Sequence, residues 1–180
     1  MPRAGKCMAI YVVLLRAVNV GGTGKLSMAD LKRMCVQEGF DVIGTYIQSG
    51  NLVLQSSEAA GAVKGKLERR MRDAAGKPIQ SYIRTAAEMR AVLRANPFPK
   101  ADPRLTYAFF FDEKPSRDAL ADIRRQTDEE IRAGKREIYV YYPSGMGQSK
   151  LVIPVAAAGT ARNMNTVAKL AEMSSESPGT

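Results

Sequence analysis

Two polar clusters hold most of the side chains in this chain that have the means to do chemistry. The first is LLRAVNVGGTGK over residues 14–25, where an apolar run ends on Arg16 and Asn19 and gives way to glycines and Lys25. Backbone N–H groups of a glycine loop ahead of a helix, with a lysine beside them, hold anions. The stricter phosphate-loop patterns fail here. A Walker A loop needs glycine where Asn19 stands and Ser or Thr where Leu26 stands. A dinucleotide fingerprint from Gly22 needs a third glycine where Ser27 stands. The second cluster is TARNMNT over residues 160–166, in which five of seven side chains form hydrogen bonds. Capping a helix uses one or two of them. The rest, with Arg162 and Asn163, would seat an oxyanion or a phosphate.

A third polar stretch, Gln48-Ser49-Gly50-Asn51, reads first as a hairpin turn, since Asn and Gly accept positive φ. It would place the Ser49 hydroxyl at the tip. The chain contains no histidine, so serine chemistry would need a lysine base, Lys150 or Lys25. No spacing selects such a pair. The same absence removes an imidazole base and a Cys/His metal site. Cys7 and Cys35 supply neither a zinc spacing nor a disulfide framework. No metal and no cofactor is expected.

The elements that must position these residues follow from pattern. Residues 8–15 (MAIYVVLL) form a continuous β-branched run, as in a strand buried on both faces. Ser27 caps a helix with Asp30 at the capping-box position, Met28, Leu31, Met34 and Cys35 share its inner face, and Gly39 ends it. Residues 42–48 and 52–55 are short strands around the Ser49-Gly50-Asn51 turn. A helix is expected over 58–75, closed by Gly76 and Pro78, then a strand over 79–84. Thr85 and Glu88 open another helix, stopped at Asn96-Pro97.

After a linker to Pro103 the order starts again. A strand over 105–111 precedes a helix capped by Ser116 and containing Leu120 and Ile123, continuing or broken toward Ile131 and Gly134. A second hairpin is expected from residues 137–142 and 150–154 around Ser144-Gly145-Met146-Gly147, and a last helix begins between Thr160 and Asn165. This predicts an α+β fold of two ferredoxin-like (βαββα) halves packed into one compact unit. The halves cover 1–98 and 104–173, and 174–180 form a disordered tail.

The 180 residues carry a net charge of +9, distributed as +3 over residues 1–57, +6 over 58–100 and zero over 101–180. The excess lies mainly in residues 64–77, a helix face that is either simply solvated or drawn to acidic partners. No stretch reaches the ~18 apolar residues of a membrane span. No small-residue cleavage site follows residues 8–15, so a cytoplasmic protein is expected.

LLRAVNVGG with Met28, GTYIQSGN, Ser149-Lys150 after a glycine-rich turn, and TARNMNTVAKL together resemble the bacterial domain-of-unknown-function family numbered 1697. The match runs in order from about residue 11 to residue 173. The family pattern has glycine where Ala17 stands and usually tryptophan where Met164 stands, so this chain lacks that aromatic platform. The resemblance implies an α+β fold and a bacterial source, and assigns no activity.

The sequence is therefore read as a protein that binds an anionic ligand, a phosphorylated small molecule or nucleic acid. Arg16, Asn19, Lys25, Ser49, Asn51, Lys150, Arg162 and Asn163 would line one polar groove. The rivals are an enzyme with a Ser/Lys pair and an interaction module without a pocket. Five strand tyrosines, Tyr46, Tyr82, Tyr107, Tyr139 and Tyr141, are available for stacking on RNA wherever alternation leaves them exposed. If the face at residues 64–72 binds polyanions, retention on heparin should fall steeply with salt and drop when Arg69, Arg70 and Arg72 are reversed in charge. Retention unchanged by the reversal would exclude that face.

Overall fold

The computed structural model describes residues 7–16, 26–47 and 50–175. The fold is α+β, with two four-stranded antiparallel sheets and four helices among the described residues. The chain divides into two compact units, Met1–Ala87 with Glu172–Thr180, and Glu88–Ala171. It passes between them within α3 (Ala86–Arg94) and again within α4 (Met164–Met173).

In the first unit, β1 (Ala9–Leu15) lies between β3 (Asn51–Ser56) and β4 (Ser81–Thr85), with β2 (Asp41–Tyr46) outside β3. The continuous apolar run behaves as expected of a central strand: Val12, Val13 and Leu14 are fully buried. Val13 and Leu15 face a core completed by Leu52, Leu54, Ile83 and the inner sides of α1 (Met28–Gln37) and α2 (Ala60–Ala75). Val12, Leu14, Val53, Tyr82 and Arg84, on the alternate positions, are buried as well.

Local signals account for the helix ends. The Ser27 hydroxyl accepts the Asp30 N–H at 3.0 Å, the capping contact expected at α1. Gly76 closes α2 in the left-handed region at φ 69°, its N–H donating to the Arg72 carbonyl at 2.9 Å. The β2–β3 hairpin turns through Gly50 at φ 82°.

The second unit departs from the expected elements. β5 (Thr106–Phe110) is central, between β7 (Glu137–Tyr141) and β8 (Thr160–Asn163), with β6 (Glu130–Ala133) outside β7. The helix expected from Ser116 toward Ile131 is a single 3-10 turn, Arg117–Leu120, and Ile131 lies on β6. The expected hairpin of 137–142 with 150–154 is replaced by β6 and β7, joined where Gly134 N–H donates to the Glu137 carbonyl at 2.7 Å. Residues 150–154 make one isolated bridge, Val152 to Arg124, before a second 3-10 turn at Pro154–Ala158.

The cause is a shortage of apolar positions at helical spacing. Leu120 and Ile123 alone cannot offset the cost of nucleating a helix, whereas the open edges of β5 and β7 offer ladder partners. Phe109, Phe111, Ile138, Val140, Tyr142 and Ile153 form the core on this side. On the other face the Tyr139 hydroxyl donates to the Val92 carbonyl of α3 at 2.8 Å. Ser174, placed in the expected tail, is buried, and the tail from residue 176 lies outside the described residues.

Gly65 sits in the interior of α2, and a Cβ built there meets nothing within 4 Å. Gly65→Ala is expected to stabilise the protein by about 0.5–1 kcal/mol through helix propensity. In urea unfolding this raises the midpoint with the slope unchanged, and a lower midpoint would contradict the open surroundings of that position.

Candidate functional site

The C-terminal end of β1 gathers three segments of the first unit. Leu15 N–H donates to the Gly50 carbonyl at 2.8 Å, which brings the β2–β3 turn beside the strand exit. On the other side Arg16 N–H donates to the Gln80 carbonyl at 2.9 Å, and the Arg16 guanidinium donates to Gln80 Oε1 at 2.8 Å. Gln80 also lines an open groove of about 300 Å³, together with Gly65, Glu68, Arg69, Arg72, Pro78 and Ile79. The α2 members fall at i, i+3, i+4 and i+7, one helix face, and the segment ahead of β4 forms the facing wall.

The basic residues of α2 sort into two kinds. Lys64 is held by Glu68 at 2.9 Å, Lys66 by Glu58 at 2.6 Å, and Arg70 by Glu38. Arg69 and Arg72 are exposed and their guanidinium groups make no hydrogen bond or ion pair with the described residues, although the Glu38 carboxyl, lowered first by its Arg70 hydrogen bond, is lowered by the Arg69 charge as well. These two line the groove. Glu68 shares it. Its Oε1 accepts from Ser81 N–H at 2.7 Å, Ser81 Oγ at 3.0 Å and Lys64 Nζ at 2.9 Å. Burial pushes this carboxyl up, but the Lys64 and Ser81 hydrogen bonds outweigh it and hold it below the usual carboxylate range.

The residues singled out from sequence are distributed as follows. Arg16 and Asn51 belong to the first unit, and Lys150, Arg162 and Asn163 to the second. Asn19, Lys25 and Ser49 lie outside the described residues. Asn51 is fully buried and its Nδ2 donates to the Tyr46 carbonyl at 3.0 Å, closing the hairpin. Lys150 is exposed.

The cluster at 160–166 is built differently from a loop that caps a helix. Residues 160–163 are β8, with Thr160 opposite Phe110 and Arg162 opposite Ala108. Arg162 is buried, and its Nη1 donates to Thr160 Oγ1 and to the Ala161 carbonyl, both at 2.8 Å. Burial pushes its guanidinium down to about 10. Asn163, rather than Thr160, caps α4, its Oδ1 accepting the Thr166 N–H at 2.9 Å. Of the five strand tyrosines, Tyr82 and Tyr139 are buried, so neither offers a stacking face.

Sequence reasoning flagged the basic run but not Gln80 or Glu68 as groove members. A glycine within a helix, Gly65, was the available signal, since it leaves the groove floor without a side chain.

A second polar cluster lies in the second unit. Ser149 Oγ donates to Glu129 Oε1, while Thr127 N–H donates to Glu129 Oε2 at 2.7 Å. The Ser149 hydroxyl and the Thr127 N–H hold the Glu129 carboxyl below its ordinary 4.5. A carboxyl lowered by folding stabilises the native state above its unfolded value and loses that contribution as pH falls through the folded value. Acidification below 4.5 should therefore destabilise the wild type more steeply than Glu129→Gln, followed by thermal melting. Parallel pH profiles would show that the carboxylate charge has no part in this cluster.

No curated protein matches the chain. A solved structure, that of a conserved bacterial protein from Streptococcus pneumoniae, is similar in fold, with a TM-score of 0.76 and 24% identity. The similarity covers 93% of this chain and 99% of that one. No helix among the described residues is long and apolar enough to cross a membrane. The profile of the family described as protein of unknown function, DUF1697, matches residues 8–139, so this chain belongs to the DUF1697 family.

Proposed function

We propose that this protein binds a phosphate-bearing anion in the groove between α2 and the segment leading into β4. The observation that carries the reading is the sorting of charge along α2. Lys64, Lys66 and Arg70 are each matched to a carboxylate, and the two arginines with no carboxylate partner among the described residues line the same concavity. Guanidinium groups three apart on a helix repel each other by a few tenths of a kcal/mol, roughly. An anion between them removes that repulsion and accepts charge-assisted hydrogen bonds from both. Arg16, hydrogen-bonded to the groove residue Gln80, brings a third cation near it. Of the side chains first singled out, Arg16 is the one retained for binding. Asn51 and Asn163 close a hairpin and cap a helix, and Arg162 is committed to its own strand.

The same reading takes each unit as a ferredoxin-like half. Its support is the strand order: β2-β3-β1-β4 and β6-β7-β5-β8 are one order when each is counted from the first strand of its unit. A bacterial source is supported by the bacterial origin of the protein similar in fold, and a cytoplasmic location by Cys7 and Cys35 as free thiols.

Inorganic phosphate should raise the melting temperature of the wild type by mass action on the folded state. Arg69→Ala and Arg72→Ala should each remove most of that response. Arg104→Ala, which deletes a cation already held by Asp102 at 2.7 Å, should keep it. Equal phosphate responses in all four proteins would sink the groove as an anion site.

A further inference from the structure

Resting on the anion reading above, we infer that the groove takes a phosphorylated polyol, of the sugar-phosphate class, rather than a nucleic-acid strand. Two of its polar members have the wrong chemistry for a pure phosphate site. Glu68 lines the groove with 31% of its side chain exposed, and its three hydrogen bonds all fall on Oε1. Oε2 makes no hydrogen bond with the described residues. A carboxylate oxygen is an acceptor only, so what it takes from a ligand is a hydroxyl or an N–H. Lys64 and Ser81 keep it ionised.

Gln80 supplies the complementary group. Its Oε1 is occupied by Arg16 at 2.8 Å and approached by the Tyr82 hydroxyl at 3.5 Å, while Nε2 has no partner among the described residues. The groove therefore offers guanidinium donors at Arg69 and Arg72, an anionic acceptor at Glu68 and an amide donor at Gln80. Phosphate on the arginines with hydroxyls on Glu68 and Gln80 uses all four. Pro78 and Ile79 give the carbon skeleton an apolar wall, and Gly65 leaves room beside it.

A nucleic-acid strand fits less well. It carries a phosphate at every nucleotide, so a strand crossing the groove would bring one against Glu68. A ligand with one phosphate and neighbouring hydroxyls avoids that repulsion. The groove, at about 300 Å³, is at the small end of ligand sites.

The test is calorimetric titration of the full chain with inorganic phosphate, ribose, ribose 5-phosphate and a single-stranded oligonucleotide. Wild type should bind ribose 5-phosphate at least about tenfold more tightly than inorganic phosphate, a difference one good hydrogen bond to a charged group supplies. Glu68→Gln should collapse that ratio toward one while leaving inorganic phosphate bound as well or better. Gln80→Ala should lower the ratio in the same direction. It is exposed, so it tests the same point without disturbing the Glu68 contacts to Ser81. A wild-type ratio near one overturns the polyol, as does a ratio that both variants preserve or an oligonucleotide that displaces ribose 5-phosphate. If phosphate binds and is lost in Arg69→Ala while the ratio stays near one, the anion site stands and the polyol alone falls. No binding of either phosphate compound removes both.

Discussion

The arrangement of the first unit depends on β1 being hydrogen-bonded on both edges and buried on both faces. Four successive residues, Val12 to Leu15, are at most 1% exposed, and each such side chain contributes about 1.5–3 kcal/mol by leaving water. The half-buried ion pairs of α2 lie near the surface and are worth about 1 kcal/mol each. Apolar burial therefore sets where β1 ends, and the polar contacts take their places from it. A one-residue slip would send Val13 and Leu15 to the opposite face and break the core shared with α1 and α2. The strand exit is thereby pinned between Gly50 and Gln80, and Arg16 meets the Gln80 side chain because the backbone delivers it there.

That hierarchy gives the carboxylates that meet α2 a different meaning from stabilisation. Glu38, Glu58 and Glu68 hold Arg70, Lys66 and Lys64, and none of these pairs is strong enough to fix the fold. What they do is neutralise part of a run that would otherwise present one broad positive face. The positive charge left over on this helix sits at Arg69 and Arg72, beside a concavity, so under the proposed reading the attraction for an anion is local instead of spread over a diffuse patch.

The first unit was legible in the sequence because its signals are local. A β-branched run, the Ser27–Asp30 cap and Gly76 each act within a few residues, and the structure uses them in that way. The second unit was harder for the same reason. β6 and β8 are four-residue edge strands with the sequences EIRA and TARN, which carry no alternation strong enough to announce a strand. Their conformation is set by pairing with β7 and β5, a tertiary effect. The charge run was legible as a run, but its sorting was not. Glu38 meets Arg70 across 32 residues, and no window of local sequence contains both. The cluster at 160–166 was legible as unusual, while whether its side chains faced a ligand or their own backbone was not.

That last ambiguity has a physical resolution in how the second unit is covered. Its core face lies under 3-10 turns and irregular segments rather than long helices. A helix satisfies its own N–H and C=O groups, whereas irregular backbone packed on a core must find partners elsewhere. Side chains supply them here: Glu129 accepts the Thr127 N–H, Ser149 the Leu151 N–H, and Gln126 donates to the Glu129 carbonyl. Asn163 and Arg162 do the same for the start of α4 and for β8. Polar residues clustered in this half are thus bound to the backbone that needed them. In the first unit α2 satisfies its own backbone, and although Lys64 and Glu68 also bond the Ser81 backbone, Arg69 and Arg72 are left lining the groove. The candidate site falls on α2 for that reason.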